Sequence, residues 1–320
     1  MNVGYHISHE QHTPSALLRY AMRADLAGFT AALSSDHFHP WNGAQGQSGF
    51  AWSWLGAALQ ATGLSYGIVN APGQRYHPAI IAQACATLAE MYPDRFWVAL
   101  GSGQAMNEAI TGQGWPAKAE RNARLEECVA IIRALWNGET VSHHGLVTVS
   151  EAKLYTLPKR SPMIAGAAIT PETAGWVATW ADALITVSQP LPALKKVVEA
   201  FRKNGGEGKQ MILKIQLSYH PDIKIARQDA YEQWRSNIFG SALLSELRSV
   251  AQFEQAGMFV RPEDLDPFVH ISSSTQEHLD RLSQYAELGF DTVILHNVNT
   301  HQEVFIDDFG QQVLPLLKPQ

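Results

Sequence analysis

What most constrains this 320-residue chain is an alternation that runs from end to end: short apolar segments separated by longer amphipathic ones. Residues 3–7, 29–35, 64–70 and 95–100 are apolar and short enough to be strands. Between and after them, residues 14–27, 50–62, 78–91 and 117–136 read as helices. The first of these places Leu17, Leu18, Met22 and Leu26 at helical spacing. Pro78 suits a first helical turn, and Asn137-Gly138 a helix stop. Further strands are expected at 163–165, 183–187, 212–218 and 291–297, with helices at 171–180, 192–203, 275–288 and 302–317. Two stretches interrupt the rhythm: 139–157 reads as a small β-hairpin with a loop, and 222–266 as helical.

Eight apolar strands, each separated by helices, imply a parallel sheet covered on its outside. At this length the α/β class predicts a closed (β/α)8 TIM barrel rather than an open doubly wound sheet. One domain over 1–320 is expected, with a hairpin insertion at about 138–160 and a helical insertion at about 222–266. No G-x-G-x-x-G follows the first strand, which weighs against a dinucleotide-binding sheet.

Composition narrows the function classes. With 46% hydrophobic and 17% charged residues the chain can bury a large core, so disorder is excluded. A net charge of −6 gives no basic face for nucleic acid or an anionic membrane surface. The two cysteines, Cys85 and Cys128, lie in apolar stretches and read as buried thiols. The histidines lack metal-ligand spacing, so no metal is expected. The first residues have no signal-peptide pattern and no apolar run is long enough to span a bilayer, so a cytoplasmic protein is expected.

Barrel chemistry collects at the carboxyl ends of strands. The second strand ends in Ser34-Ser35-Asp36-His37-Phe38-His39-Pro40-Trp41. There Asp36 can accept a hydrogen bond, His37 can take a proton near neutral pH, and Trp41 offers a flat face or a packing anchor. The third ends in Val69-Asn70-Ala71, followed by Arg75, which can bind an anion or pair with a carboxylate. The fourth ends in Gly101-Ser102-Gly103-Gln104, with Asn107 and Glu108 beyond. Its glycines permit a close approach to a ligand or simply a turn. Gly166, Ala167, Ile169 and Thr170 follow the fifth strand, as a phosphate cradle before a helix or as tight strand–helix packing.

Together, SSDHFHPW, the block RYHPAIIAQACATLAEMYPDRFWVALGSGQAMNE, RLEECVAIIRALWNGE and KIQLSYHP resemble the bacterial-luciferase-like flavin and deazaflavin oxidoreductases. The branch they are most similar to is the F420-dependent glucose-6-phosphate dehydrogenases. The resemblance implies a usually dimeric (β/α)8 barrel binding FMN, FAD, a modified flavin or coenzyme F420. It implies that Asp36 binds the cofactor ring, that His37 is the catalytic base and that Trp41 shapes the substrate site. It assigns Ala71, Ser102, Gly103, Asn107, Gly166, Ala167, Ile169 and Thr170 to the cofactor and Thr186 to the substrate. The bend at Ile68-Val69-Asn70 matches a place where the family often has a non-proline cis peptide beneath the ring. Two family positions differ. A glutamate proposed as general acid falls on Gln104, which cannot transfer a proton. A lysine that grips a sugar phosphate falls on Gln189, and a later arginine falls near Phe268.

These substitutions make glucose 6-phosphate a poor substrate and a non-phosphorylated sugar or other alcohol a better one. Hydride transfer from such an alcohol to the ring is the expected reaction, with His37 as base. Oxygen activation by a reduced flavin and non-catalytic cofactor binding are the alternatives. Oxygen uptake would mark the first of these, and indifference to loss of His37 the second. A homodimer is expected through the helices after the second and third strands.

Overall fold

The computed structural model describes residues 1–317, so the last three residues of the expected domain lie outside it. In chain order it contains β1 (Asn2–Ile7), α1 (Pro14–Ala27), β2 (Ala31–Ser34), α2 (Ala51–Ala61), β3 (Ser65–Asn70), α3 (Pro78–Met91) and β4 (Phe96–Leu100). Then follow α4 (Ala105–Glu108), α5 (Lys118–Trp136), β5 (Val141–His144), β6 (Thr148–Ala152), β7 (Ile164–Ala167), α6 (Pro171–Val177), β8 (Ala183–Val187) and α7 (Leu191–Phe201). The remainder is β9 (Gln210–Tyr219), α8 (Ile223–Trp234), α9 (Ser241–Glu246), α10 (Val250–Gly257), β10 (His270–Ser272), α11 (Thr275–Ala286), β11 (Thr292–Asn297), α12 (Gln302–Gln312) and α13 (Leu314–Leu317).

Eight parallel strands close into a barrel. The order β11-β1-β2-β3-β4-β7-β8-β9 returns to β11, which is the expected (β/α)8 architecture. The hairpin is β5 and β6, paired antiparallel outside the barrel, and the helical insertion is α8 to α10. Short β10, which the sequence pattern does not announce, pairs with the carboxyl end of β9. The expected helix 302–317 breaks at Val313, because Pro315 cannot continue the hydrogen-bonded ladder.

Local chemistry explains where helices begin. Thr13 caps α1, accepting from the Ala16 amide at 3.4 Å, ahead of Pro14 in the first turn. Gly28 ends the same helix at φ +98°, a conformation that suits glycine.

Alternation along the strands then sorts two faces. Val3, Tyr5, Ile68, Val98 and Leu184 pack outward against the helices, while Leu33, Trp97, Ala99, Ile185, Ile212 and Ile294 fill the interior. Trp97 reaches across because Gly67 has no side chain; a Cβ there would lie 2.2 Å from the indole. The plug is therefore apolar. Inward positions nearer the carboxyl ends carry His6, Lys214, Gln216 and His296 instead, and this polar layer floors the site.

Candidate active site

Glu10 organises one side of the barrel mouth. It follows β1 in the run Ser8-His9-Glu10-Gln11-His12, all of it buried. Ser8 Oγ and Ser35 Oγ both donate to Glu10 Oε2, at 2.9 and 2.8 Å. Its other oxygen lies 2.8 Å from His37 Nδ1, with Glu10 2% and His37 21% exposed. Burial alone would raise the Glu10 carboxyl. The His37 ring, His6 and a backbone amide outweigh that and hold it well below the usual carboxylate range. The approach of Glu10 to His37 is within ion-pair distance, although neither atom completes a well-aligned hydrogen bond, and Nε2 is the ring nitrogen left for a ligand. His37 also meets Trp41 edge to face at 5.0 Å.

Neighbouring histidines stay neutral. Burial brings His9 and His12 down to about 4 and pushes His6 and His296 well below their usual range. His6 and His296 lie 4.2 Å apart, ring to ring. Lys214 stands inward on β9, partly buried, and burial lowers its ammonium to about 8 while Glu10 opposes the shift.

Asp36 is buried beside this pair and held by its neighbours. Asn70 Nδ2 donates to one carboxylate oxygen at 2.7 Å and the Tyr76 hydroxyl to the other at 3.1 Å. Arg75 donates to the Asp36 carbonyl at 2.7 Å, so this arginine pairs with protein groups. Its side chain also stands 3.5 Å from Glu108 Oε1, and its amide donates to Glu108 Oε2 at 3.0 Å. Glu108 is thereby committed to Arg75. Asn70 Oδ1 is buried without a partner, an acceptor suited to a ring N–H.

The opposite side is built from backbone and small residues. Ser102 Oγ accepts from Lys118 at 2.7 Å. Gly103, at φ +82°, leaves no room for a Cβ, which would lie 2.9 Å from Glu108 and 3.3 Å from Ala71. Gln104 precedes α4, and Asn107 Oδ1 accepts from the Phe38 amide at 2.9 Å, tying this loop to the one bearing His37. Val69 and Ala167 face the barrel interior.

Several expected contacts fall elsewhere. Gly166 is a packing residue: a Cβ would point outward, 2.3 Å from Val177 of α6. Thr170 spends its hydroxyl capping α6, accepting from the Thr173 amide at 3.3 Å, and Ile169 is exposed. Thr186 is buried at the end of β8, and its hydroxyl has no hydrogen-bond partner among the described residues. Trp41 is an anchor against Met106 and Phe253 as well as a wall for His37. Every peptide bond among the described residues is trans, and β3 pairs with β4 continuously through Val69 and Asn70. Both cysteines are buried free thiols.

Gln189 donates to the Ile169 carbonyl at 2.9 Å and lines a small cavity with Gln216, Phe268 and Arg281. Arg281 is the cation that lines this cavity. Glu10, Tyr76 and Arg281 escaped the sequence reading. The polar run after β1 was the available signal for Glu10. Among the described residues no helix is long and apolar enough to cross a membrane.

A parallel barrel with an acid–histidine pair at its mouth defines a class of small-molecule enzyme. Residues 1–292 match the family model for luciferase-like monooxygenases. The chain belongs to that family of oxidoreductases. It is 31% identical to the F420-dependent glucose-6-phosphate dehydrogenase of Microbacterium testaceum, covering 99% of this chain and 98% of the relative. The enzyme of the same name from Tsukamurella paurometabola is 32% identical at the same coverage. Among solved structures, an F420-dependent secondary alcohol dehydrogenase bound to an F420-acetone adduct superposes with TM-score 0.91 at 29% identity, over 99% of both chains. The F420-dependent tetrahydromethanopterin reductase of Methanopyrus kandleri, at 18% identity and TM-score 0.80 over 99% of both chains, shares the fold.

Proposed function

We propose that this chain is a dehydrogenase that takes a hydride from a neutral sugar or other alcohol and delivers it to coenzyme F420 or a flavin-type cofactor. The observation that carries the reading is the 2.8 Å approach of His37 Nδ1 to Glu10 Oε1 at the mouth of the barrel. An alcohol that gives up a hydride must also give up its hydroxyl proton, and His37 Nε2 is the oriented base for it. Glu10 fixes the ring and balances the positive charge that His37 gains.

Asp36, Asn70, Ala71 and Gly103 would hold the cofactor ring, with Asn70 Oδ1 as a ready acceptor. When bound, the cofactor supplies a ring position that accepts the hydride. F420 is favoured by the names of the two relatives and of the alcohol dehydrogenase; FMN, FAD or a modified flavin is the alternative. Gln104 has no proton to give, and Glu108, whose carboxyl burial raises, faces Arg75. That suits a secondary alcohol or the anomeric carbon of an aldose, where the ring oxygen stabilises developing positive charge.

One observation favours a second reading, a phosphorylated sugar: Arg281 shares its cavity with Gln189. The mass and absorbance of any co-purifying chromophore identify the cofactor. Stopped-flow bleaching against secondary alcohols, free aldoses and sugar phosphates then separates the substrates. The proposal predicts fastest bleaching by a neutral alcohol or aldose; preference for sugar phosphates, or no bleaching by any of the panel, sinks it. We also infer a homodimer through α2 and α3, the latter exposing Ile80 and Met91; a single-chain mass at micromolar concentration would refute it.

A further inference from the structure

Glu10 and His37 stand on two loops, and the helical insertion joins those loops from outside the barrel. Gln233, 5% exposed, lies in the last turn of α8. Its Oε1 accepts from Gln11 Nε2 at 3.1 Å, and Gln11 is the chain neighbour of Glu10. Its Nε2 donates to the Ala44 carbonyl at 3.1 Å, in the loop that runs on from His37 and Trp41. One carboxamide thus spans both loops, offering an acceptor to one and a donor to the other.

Both ends of this bridge are anchored. The last carbonyls of a helix have no partner within it. In α8 the Gln233 carbonyl accepts from Gln45 Nε2 at 2.9 Å and from Asn42 Nδ2 at 3.3 Å. Gln45 Oε1 in turn accepts from the amide of Trp41, the residue that walls His37, at 3.0 Å. On the other side, Gln11 Nε2 also donates to the Val298 carbonyl at 2.7 Å, and Gln11 Oε1 accepts from His296 Nε2 at 3.0 Å. A backbone bond, from the Gln47 amide to the Glu10 carbonyl at 2.9 Å, ties the same two segments and survives any side-chain change. Loss of the Gln233 carboxamide therefore loosens the two loops without releasing them.

We propose that Gln233 is a positioning residue that acts through His37: its carboxamide sets where the loop bearing His37 and Trp41 stands against the segment bearing Glu10. The helical insertion thereby places the base from outside the barrel. This rests on His37 being the base of the proposed reaction. A base takes a hydroxyl proton only within hydrogen-bond reach, and an error of about 1 Å in placing a catalytic group can cost about 10²-fold in rate.

Gln233→Met nearly keeps the length and bulk of the side chain and removes both of its bonds. Hydrogen exchange read by mass spectrometry needs no substrate. Peptides covering 8–12 and 37–48 are expected to exchange faster in Gln233→Met, with those of β3 and β4 unchanged. Alcohol-dependent bleaching at saturating cofactor should lose about 10–10²-fold in kcat, while cofactor affinity stays at the parent value. In a His37→Ala background the same substitution should cost nothing further, because no base is left to place. Unchanged exchange in both segments, or an equal loss of rate with and without His37, overturns the proposal. Should Gln233→Met fail to fold, Gln233→Asn keeps the polar groups, falls one methylene short of the bridge and is read in the same way. If no alcohol bleaches the cofactor in the parent, the dehydrogenase reading fails, while the exchange still decides whether Gln233 holds the two segments together.

Discussion

The two sides of the barrel mouth are built on different principles. On the side of β1, β9 and β11, titratable side chains gather: Glu10 approaches His37 Nδ1 at 2.8 Å, His6 faces His296 at 4.2 Å, and His9 and Lys214 come from the same segments. On the side of β4 and β7, Ser102, Gly103 and Ala167 offer small side chains and backbone, with loops tied by Asn107. The first can move or store protons. The second can only shape a cradle. Their contrast teaches that acid–base chemistry and ligand shape are carried by separate strands, so each can be broken alone.

The largest expected effect is acid instability confined to the titratable side. His9 and His12 protonate at about 4 when folded because burial disfavours the imidazolium, but near the ordinary value when unfolded. Across that window the unfolded chain binds more protons, so stability falls as pH drops from about 6.5 towards 4 and levels off below. These two residues should cost roughly 5 kcal/mol between pH 7 and 4.5. Urea unfolding at the two pH values measures it. His9→Gln should shrink the difference by about half. Equal unfolding free energies at pH 7 and 4.5 would show that these rings are not held neutral.

Next comes His37→Ala. Loss of a general base typically costs about 10²–10⁴ in rate. Alcohol-dependent bleaching should fall by that factor while cofactor affinity, measured by fluorescence titration, stays unchanged. A matching fall in affinity would mean that the two sides of the mouth are not separable.

A smaller effect should follow on the cradle side. Gly103→Ala places an L-residue at φ +82° with its Cβ 2.9 Å from Glu108 Cγ. The backbone term alone costs about 1–2 kcal/mol. Weaker cofactor binding is expected, with the alcohol-dependent bleaching rate at saturating cofactor unaltered; a fall in that rate would join the two sides.

The same contrast governs what the sequence could disclose. Strands and helices were legible because their apolar periods are local, and so was the dense Asp36-His37 segment, whose residues are neighbours in the chain. The pairing of Glu10 with His37 was not, because the two are brought together only when β1 pairs with β2. Gly166 was open between a ligand cradle and helix packing, and only the position of Val177 decides it.

The smallest effect tests the rim, where neither principle dominates. Gln189 donates its amide to the Ile169 carbonyl and shares a small cavity with Arg281, whose guanidinium lies 5.4 Å from the Tyr285 ring. Gln189→Lys would put a second cation beside Arg281, where an ionised phosphate could take a charge-assisted hydrogen bond. Such a bond is worth about 1.5–3 kcal/mol at best, and solvent at this half-buried rim reduces it. The ratio of bleaching rates for a sugar phosphate over the free sugar should therefore rise by roughly tenfold, about 1.4 kcal/mol. The rate with the neutral substrate should hardly change, because His37 and Glu10 are untouched. If the ratio stays fixed, this cavity does not receive the distal end of the substrate. If the unmodified protein already prefers the phosphate, Arg281 suffices alone and the neutral-alcohol assignment falls.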